Sequence, residues 1–484
     1  MKVYFLLFLF YVNGLMANTY YVSENGLDSN TGLSESLAFA SIQKAADLVV
    51  AGDSVLVLAG SYAGFDFRSA SGDALNPIVF QAVGEVLITS SGPQRDDGIN
   101  IEGPDHVIID GFTVNNMLGS GNGIRVVLSD HVLIKNNKCD NNAERGIFTG
   151  FTDDITIEYN VCTNSVDEHG IYVSNSSDRP IIRYNECYGN NNIGIHMNGD
   201  LSAGGDGIIS DAQVYGNIIH DNNLAAGINM DGCLRPIVYN NLIYNNHTSQ
   251  GIALFQGDGA IPTREAQIYN NTIIVPNDGR WGILVNTGSH EGTKIFNNII
   301  INNHLSRGSI ATESIFNGFE SDYNLLSDKV SFTGDGSSVT LTQWQNVGLG
   351  LNSHVAAAET DLFVDPFAIN PIFALKAQSQ ALDAGSPVVN PPVSMDIVGM
   401  TRPQNQGYDV GAYEKIYCPK SRTLSGVDEP LTGFYFAQDT IYLSGILEIN
   451  TDVSLRATTI ENMGNLNILS GATATIQKDG CVEE

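Results

Sequence analysis

The sequence predicts an all-β solenoid, a parallel β-helix, and three observations carry that prediction. A Gly-Ile pair recurs at Gly98, Gly123, Gly146, Gly170, Gly194, Gly227, Gly251 and Gly282, in steps of 25, 23, 24, 24, 33, 24 and 31 residues. An Asn in an apolar-x-Asn pattern recurs in step, at Asn137, Asn160, Asn185, Asn217, Asn241, Asn271 and Asn298, always 9 to 11 residues before the next Gly. Between them lie short alternating segments such as ITIEYN, IIRYN and QVYGN, which have the period of strands rather than helices. A repeat of roughly 20–50 residues marks a solenoid. Three short strands and three turns fill one repeat, and successive coils then stack about 4.8 Å apart, the strand spacing of a sheet.

Each recurrent element has a structural reason. Asn tolerates the left-handed conformation that a turn requires, and its amides can hydrogen-bond up and down a stacked ladder, so the Asn column is assigned no catalytic role. Cys139, Cys162 and Cys187 sit in similar contexts, 23 and 25 residues apart, and read as an internal column of small apolar side chains. No CxxC-type spacing favours a metal there. Cys418 and Cys481 bracket the C-terminal tail and form the expected disulfide. At the other end, Ser41–Val50 reads as a short amphipathic helix with Ile42, Ala45, Ala46 and Val49 on one face, placed to cover the N-terminal mouth.

Composition narrows the function. Among 484 residues there are 50 glycines, and 53 acids against 23 bases give 53 − 23, a formal charge of −30. Such a chain does not bind nucleic acid through a broad basic surface. With 43% hydrophobic residues it is no disordered acidic tail, and no apolar run has the length of a membrane span. Residues 1–17 read as a secretory signal, a basic start followed by an apolar stretch from Val3 to Val12 and small residues at Gly14 and Ala17. The expected location is therefore extracellular or at the cell surface. The expected domains are a β-helix over 18–414 and a small β-rich module over 415–484. Within the β-helix, 18–60 forms an N-terminal cap, 60–350 the repeats and 360–414 a closing segment.

Two stretches carry a family resemblance. YYVSENGLDSNTG followed by SIQKAADLVVAGDSVLVLAGSY resembles the start of secreted bacterial proteins of the pectate-lyase-like superfamily. PIFALKAQSQALDAGSPV followed by DIVGMTRPQNQGYDVGAYE resembles their closing segment. The resemblance spans residues 19 to about 414 and implies a right-handed parallel β-helix. It leaves the chemistry open among lyases, hydrolases, epimerases and proteins of unknown activity. Asp167-Glu168-His169 is similar to the Asp-Pro-His-Glu motif of alginate C5-epimerases only at Asp167 and His169. The Gly-His-Gly and Arg-Ile-Lys motifs of polygalacturonases are absent from the sequence.

Strand alternation sorts the Gly-Ile segments. The Ile points inward and the next residue outward, which makes one outward column of Phe148, Tyr172, His196, Asn229, Ala253 and Leu284. A second column holds Ser174, Asn198, Asp231, Phe255 and Asn286. The preceding turns add Glu144-Arg145 and Asp167-Glu168-His169, with His247 a few residues ahead of Gly251. Two insertions, 200–207 and 257–264, fall just after the Gly-Ile strand and bracket the coil of Asn229 and Asp231. Long loops on one edge of a rigid scaffold form groove walls.

An open groove suits a polysaccharide, and β-elimination on a uronate polymer is the leading expectation. It needs a base, a neutraliser for the carboxylate and an acid for the leaving oxygen. His169 or His196 is the expected base, Tyr172 the donor to the leaving oxygen and Arg145 the partner of the substrate carboxylate. Calcium is an alternative neutraliser, held by Asp200, Asp206 and Asp231 and favoured by the negative charge of the chain. Hydrolysis through Glu168 and Asp231, and epimerisation, are alternatives on the same scaffold. The competing class is a passive glycan binder, in which Asn198, Asn229, Tyr172, Phe255 and Trp281 contact neutral sugars, with His247 also on the substrate side. No organic cofactor is expected, and the chain is expected to act as a monomer.

Overall fold

The computed structural model describes residues 17–415, apart from 287, 388, 390–392 and 405, together with seven strands between 421 and 477. The first 16 residues, Cys418 and Cys481 lie outside the described residues, and with them most of the signal segment and the disulfide.

The Gly-Ile segments form one wall of the solenoid, an 11-stranded parallel sheet running from Phe65–Phe67 to Val330–Ser331. The other two strands of each coil, typified by Thr156–Glu158 and Val161–Thr163, belong to a 22-stranded sheet that makes the remaining walls. Register follows the repeat: Ile147 pairs with Ile171, Ile171 with Ile195, and Ile195 with Ile228. These inward isoleucines are fully buried, and their stacking forms the core. The glycine before each Ile is required by close approach. A Cβ on Gly146 would lie 2.7 Å from the Gly170 carbonyl oxygen and 2.9 Å from the Cys162 Cβ.

The Asn column is a ladder of buried amides. Asn217 Nδ2 donates to Asn241 Oδ1 at 3.0 Å and to the Ile182 carbonyl at 2.9 Å, and its Oδ1 accepts from the backbone N–H of Asn185 at 3.0 Å. The ladder runs from Asn137 to Asn298 and on to Asn324. Its explanation differs in one respect from the expectation. The left-handed residues are those just before the ladder, Asn136, Tyr159, Tyr184, Asn240, Asn270 and Asn297, whereas the ladder Asn residues serve as buried hydrogen-bonding groups. A second ladder, missed in the sequence, joins Asn190, Asn222 and Asn246 at the next turn, with Ser165 in the coil before them donating its N–H to Asn190 Oδ1. Cys139, Cys162 and Cys187 are in register, free and fully buried, as the repeat predicts.

At the N-terminal end the helix is shorter than expected, Ile42–Ala46, with the Ser41 hydroxyl accepting from the Lys44 N–H. β-Branched Val49 and Val50 and a left-handed Gly52 follow it, and neither continues a helix. Ile42, Ala45, Ala46 and Val49 nevertheless pack into the main core.

The closing segment lies along the outside of the other two walls. Leu362, Phe363, Phe373 and Leu375 cover Leu242, Ile274, Ile299 and Ile301, while Val389 and Val393 cover Tyr269. A fully buried ion pair holds it: Arg402 donates to Glu414 at 2.9 Å, to the Gly411 carbonyl at 2.7 Å and to the Asp409 carbonyl at 3.0 Å. Removing one partner of a buried pair strands the other charge, so Glu414→Gln is expected to cost about 3 kcal/mol. An unchanged urea midpoint would contradict this. Beyond 415, Ser421–Ser425, Thr440–Ser444 and Thr459–Asn462 form a parallel three-stranded sheet, and four more strands form another parallel sheet. Among the described residues, no helix is long and apolar enough to cross a membrane.

Candidate functional site

The Gly-Ile wall carries the chemistry. Successive coils place Arg125, Phe148, Tyr172, His196 and Asn229 in one outward column. Ser174, Asn198, Asp231 and Phe255 occupy the second. Tyr172 and His196 stack face to face, with ring centroids 4.6 Å apart and planes 12° from parallel. His169, from the turn before Gly170, is buried against their edges, with centroids at 5.1 Å from Tyr172 and 4.8 Å from His196. Its Nε2 lies 3.1 Å from His196 Nδ1 and 3.1 Å from Glu168 Oε2, and its Nδ1 accepts from the Ile193 N–H at 3.3 Å. Asn198 Nδ2 donates to the Tyr172 hydroxyl at 3.2 Å and lies 3.4 Å from Asp258 Oδ2.

Burial is the main cause of the electrostatics. It lowers His169 to about 2, with further contributions from His196 and Arg145, and it lowers His196 to about 3, with help from Arg145. Burial likewise raises Tyr172 above its ordinary value. Both imidazoles are therefore neutral in the folded protein, while each titrates near 6.5 once unfolded. The unfolded chain binds more protons below that value. Stability is full above about pH 6.5 and is lost as the pH falls towards 3, by about 1.4 kcal/mol per pH unit for each ring. Urea midpoints at several pH values should show this slope, and His169→Gln/His196→Gln should flatten it. An equal slope in the variant would count against the buried neutral pair.

The structure changes several expected roles. The Arg145 side chain donates to Glu168 at 2.8 Å, lies 3.3 Å from Glu144, and sits 5.0 Å from the Tyr172 ring and 5.2 Å from that of Phe148. It supports the Tyr172 ring, and its charge is already shared by two carboxylates, so it is not poised for a substrate carboxylate. The Asp231 carboxylate is taken up by the backbone N–H groups of Gly257, Asp258 and Gly259 and is buried. It anchors the second insertion and is unavailable as half of a hydrolytic carboxylate pair with Glu168. Trp281 is buried with Leu284 and Ala311, and its indole donates to Asp335 at 2.7 Å, so it presents no face to a sugar. His247 pairs with Asp278 at 3.0 Å in an exposed turn, and none of its described contacts reaches His169. Asn229 stands beside His196 in the outward column, as expected.

The residues expected to hold calcium are engaged by neighbouring groups. Asp200 accepts from Ser202 at 3.1 Å and from Asn175 at 3.2 Å, and Asp206 accepts from the Ile208 N–H at 3.0 Å. Both carboxylates thereby cap their own loop. Among the described residues, no three His, Cys, Asp or Glu side chains gather as a metal site.

The two insertions meet each other. Leu201 donates its N–H to the Asp258 carbonyl at 2.9 Å, and Ala260 to the Gly207 carbonyl at 2.9 Å. The double loop stands beside Asn198, whose Nδ2 lies 3.4 Å from Asp258 Oδ2. Asp258 reads in the sequence as a loop residue of the second insertion with no constellation around it. Arg125, Asn100 and Glu102 were missed. Arg125 donates to Asn100 at 2.7 Å and to Glu102 at 3.0 Å on the same wall. The Gly-Ile register that placed Phe148 applies equally to Ile99-Asn100 and Ile124-Arg125 and would have found the first two.

The result is a parallel β-helix whose closing segment covers two walls of its C-terminal coils and whose third wall carries a row of aromatic and ionisable groups. The chain belongs to the right-handed β-helix region family, whose profile matches residues 83–202 and 168–325. Its fold is similar to that of the pectate lyase Pel9A, with 16% identity, a TM-score of 0.56, and coverage of 83% of this chain and 98% of that one. It is also similar to XylC, solved in complex with xylose, with 10% identity, a TM-score of 0.50, and coverage of 82% and 99%. No curated protein matches the chain.

Proposed function

We propose that the protein is an exported enzyme acting on a uronate-containing polysaccharide, which it cleaves by β-elimination in the groove of the Gly-Ile wall. The observation that carries this reading is the stacked Tyr172–His196 pair on the open wall, backed by His169, Glu168 and Arg145 and flanked by Asn198. A passive binder needs no such pair of neutral imidazoles, one buried and one half-buried, beside a phenol. Tyr172 and His196 are half-buried in the outward column, and they divide the proton transfer and the stabilisation of the carboxylate between them, while Glu168 is held by Arg145. Asn198 orients the phenol. The fold shared with Pel9A supports a polymer lying along the wall, and the leader-like first residues support export. Hydrolysis by Glu168 and Asp231 loses its support, because three backbone amides occupy the Asp231 carboxylate.

The test is ultraviolet absorbance of unsaturated uronate ends while the mature protein meets a panel of uronate polysaccharides, with calcium and with chelator. Rising absorbance is the expected result. New reducing ends without absorbance would mean hydrolysis. Silence in both, with binding retained, would mean epimerisation or passive recognition and would overturn the lyase reading.

A further inference from the structure

We propose that His169 is a positioning residue which, clamped by the Ile193 amide, locks His196 as an Nε2–H hydrogen-bond donor towards the carboxylate of a bound uronate, so that Tyr172 takes the proton. This deepens the lyase reading and rests on it for the identity of the ligand. The lock itself rests on hydrogen-bond geometry alone.

A neutral imidazole carries one proton, and its two nitrogens then have opposite roles. The Ile193 N–H points at His169 Nδ1 at 3.3 Å, so that nitrogen accepts and the proton of His169 sits on Nε2. Glu168 Oε2, 3.1 Å from the same Nε2 and held by Arg145 at 2.8 Å, can only accept when ionised, which enforces the same choice. His169 Nε2–H also faces His196 Nδ1 at 3.1 Å. His196 Nδ1 must then accept, and the proton of His196 is left on Nε2. With both protons on Nδ1 instead, His169 would set N–H against the Ile193 N–H and a bare Nε2 against the Glu168 carboxylate; with only the His196 proton moved, N–H would face N–H between the two rings. The lowered pKa values of the two rings agree, since neither is an imidazolium that would escape the constraint.

An Nε2–H imidazole cannot take a proton at that atom. It can polarise an oxygen on which negative charge develops, as preorganised donors do. Proton abstraction is then assigned to Tyr172, the phenol stacked on His196, since the half-exposed Glu168 is engaged by Arg145 at 2.8 Å and by His169 Nε2 at 3.1 Å. As phenolate, its oxygen takes the proton from the carbon bearing the carboxylate, breaking C–H and forming O–H. The electron pair enters a new C=C bond as the neighbouring C–O bond breaks, and the same hydroxyl returns its proton to the leaving sugar oxygen. The phenolate is regenerated and no oxidant or reductant is consumed. Burial raises Tyr172 above its ordinary value, and Asn198 Nδ2 at 3.2 Å and the Arg145 guanidinium 5.0 Å from the ring only partly offset it, so the phenolate forms in the alkaline range.

Two readouts test this. The first is long-range ¹H–¹⁵N NMR on the mature chain with ¹⁵N-labelled histidine, the two rings being assigned by loss of signals in His169→Gln and His196→Gln. Both rings should show the Nε2–H pattern from roughly pH 5 to 9. His169→Leu should relax His196 to mixed tautomers, whereas His169→Gln, with an oxygen to accept and an amide to donate, should preserve the lock. An Nδ1–H form of His196 in the unaltered protein, or a pure Nε2–H form in a folded His169→Leu, overturns the proposal whether or not any polymer is cleaved. The second readout is the pH profile on a uronate polymer that the protein cleaves. A phenolate base predicts kcat/KM rising about tenfold per pH unit into the alkaline range. A flat profile would assign the base to a neutral imidazole and overturn the role of Tyr172. Locked tautomers without cleavage of any uronate polymer would defeat the lyase reading alone.

Discussion

Asn217→Leu is expected to destabilise the solenoid by about 4 kcal/mol or more, because it strands several buried backbone and side-chain groups at about 1–3 kcal/mol each. The Asn217 amide donates to the Ile182 carbonyl at 2.9 Å and the Tyr215 carbonyl at 3.2 Å, and to Asn241 Oδ1 at 3.0 Å. Its oxygen accepts from both the backbone and the side chain of Asn185, at 3.0 and 3.1 Å. Leucine has a similar volume but none of these groups, and the site is fully buried, so water cannot replace them. The position lies in the middle of the ladder, and each coil is stabilised mainly by its neighbours. Chemical denaturation should show a lower midpoint, and proteolysis should begin near the altered coil. A loss below about 1 kcal/mol would mean that the ladder contributes no more than an ordinary net hydrogen bond.

Tyr172→Phe is expected to lower kcat by roughly 10²–10⁴, the range for loss of one acid–base group, with little change in KM. The phenyl ring keeps the stack on His196 and the position under Arg145, so the fold and the binding surface persist while the reacting oxygen is lost. The hydroxyl accepts from the buried Asn198 amide at 3.2 Å, and after its removal that amide still has Asp258 Oδ2 at 3.4 Å as an acceptor. Steady-state kinetics on the cleaved uronate polymer, together with a thermal melt, separate the two effects. Full activity in Tyr172→Phe would remove Tyr172 from the reaction. A parallel loss of stability would mean that the hydroxyl acts in folding.

The register of the Gly-Ile wall shows why so much of the fold was legible. Along a strand, the direction of each side chain alternates for local geometric reasons. Once Gly146, Gly170 and Gly194 were aligned, the columns of Tyr172, His196 and Asn198 followed without tertiary information. The same register brought the three cysteines into a single buried column. Turn geometry was less legible, because the left-handed position before each ladder residue is held by Asn in some coils and by Tyr159 or Tyr184 in others.

The sequence by itself determined the coil, the inward isoleucines, the amide ladder and the identity of the wall on which Tyr172 and His196 stand. These depend on strand alternation and on a repeat that brings equivalent residues into register. Only the tertiary structure decided which groups meet across coils and loops. It placed the Ile193 amide on His169, three loop amides on Asp231, and Asp335 on the indole of Trp281. It also laid the closing segment over two walls and left the third open. The reason is physical: a periodic strand specifies directions one coil at a time, whereas a turn, an insertion or the closing segment is positioned by packing against residues far along the chain, 60 positions for Asn198 and Asp258, for which the local sequence carries no period.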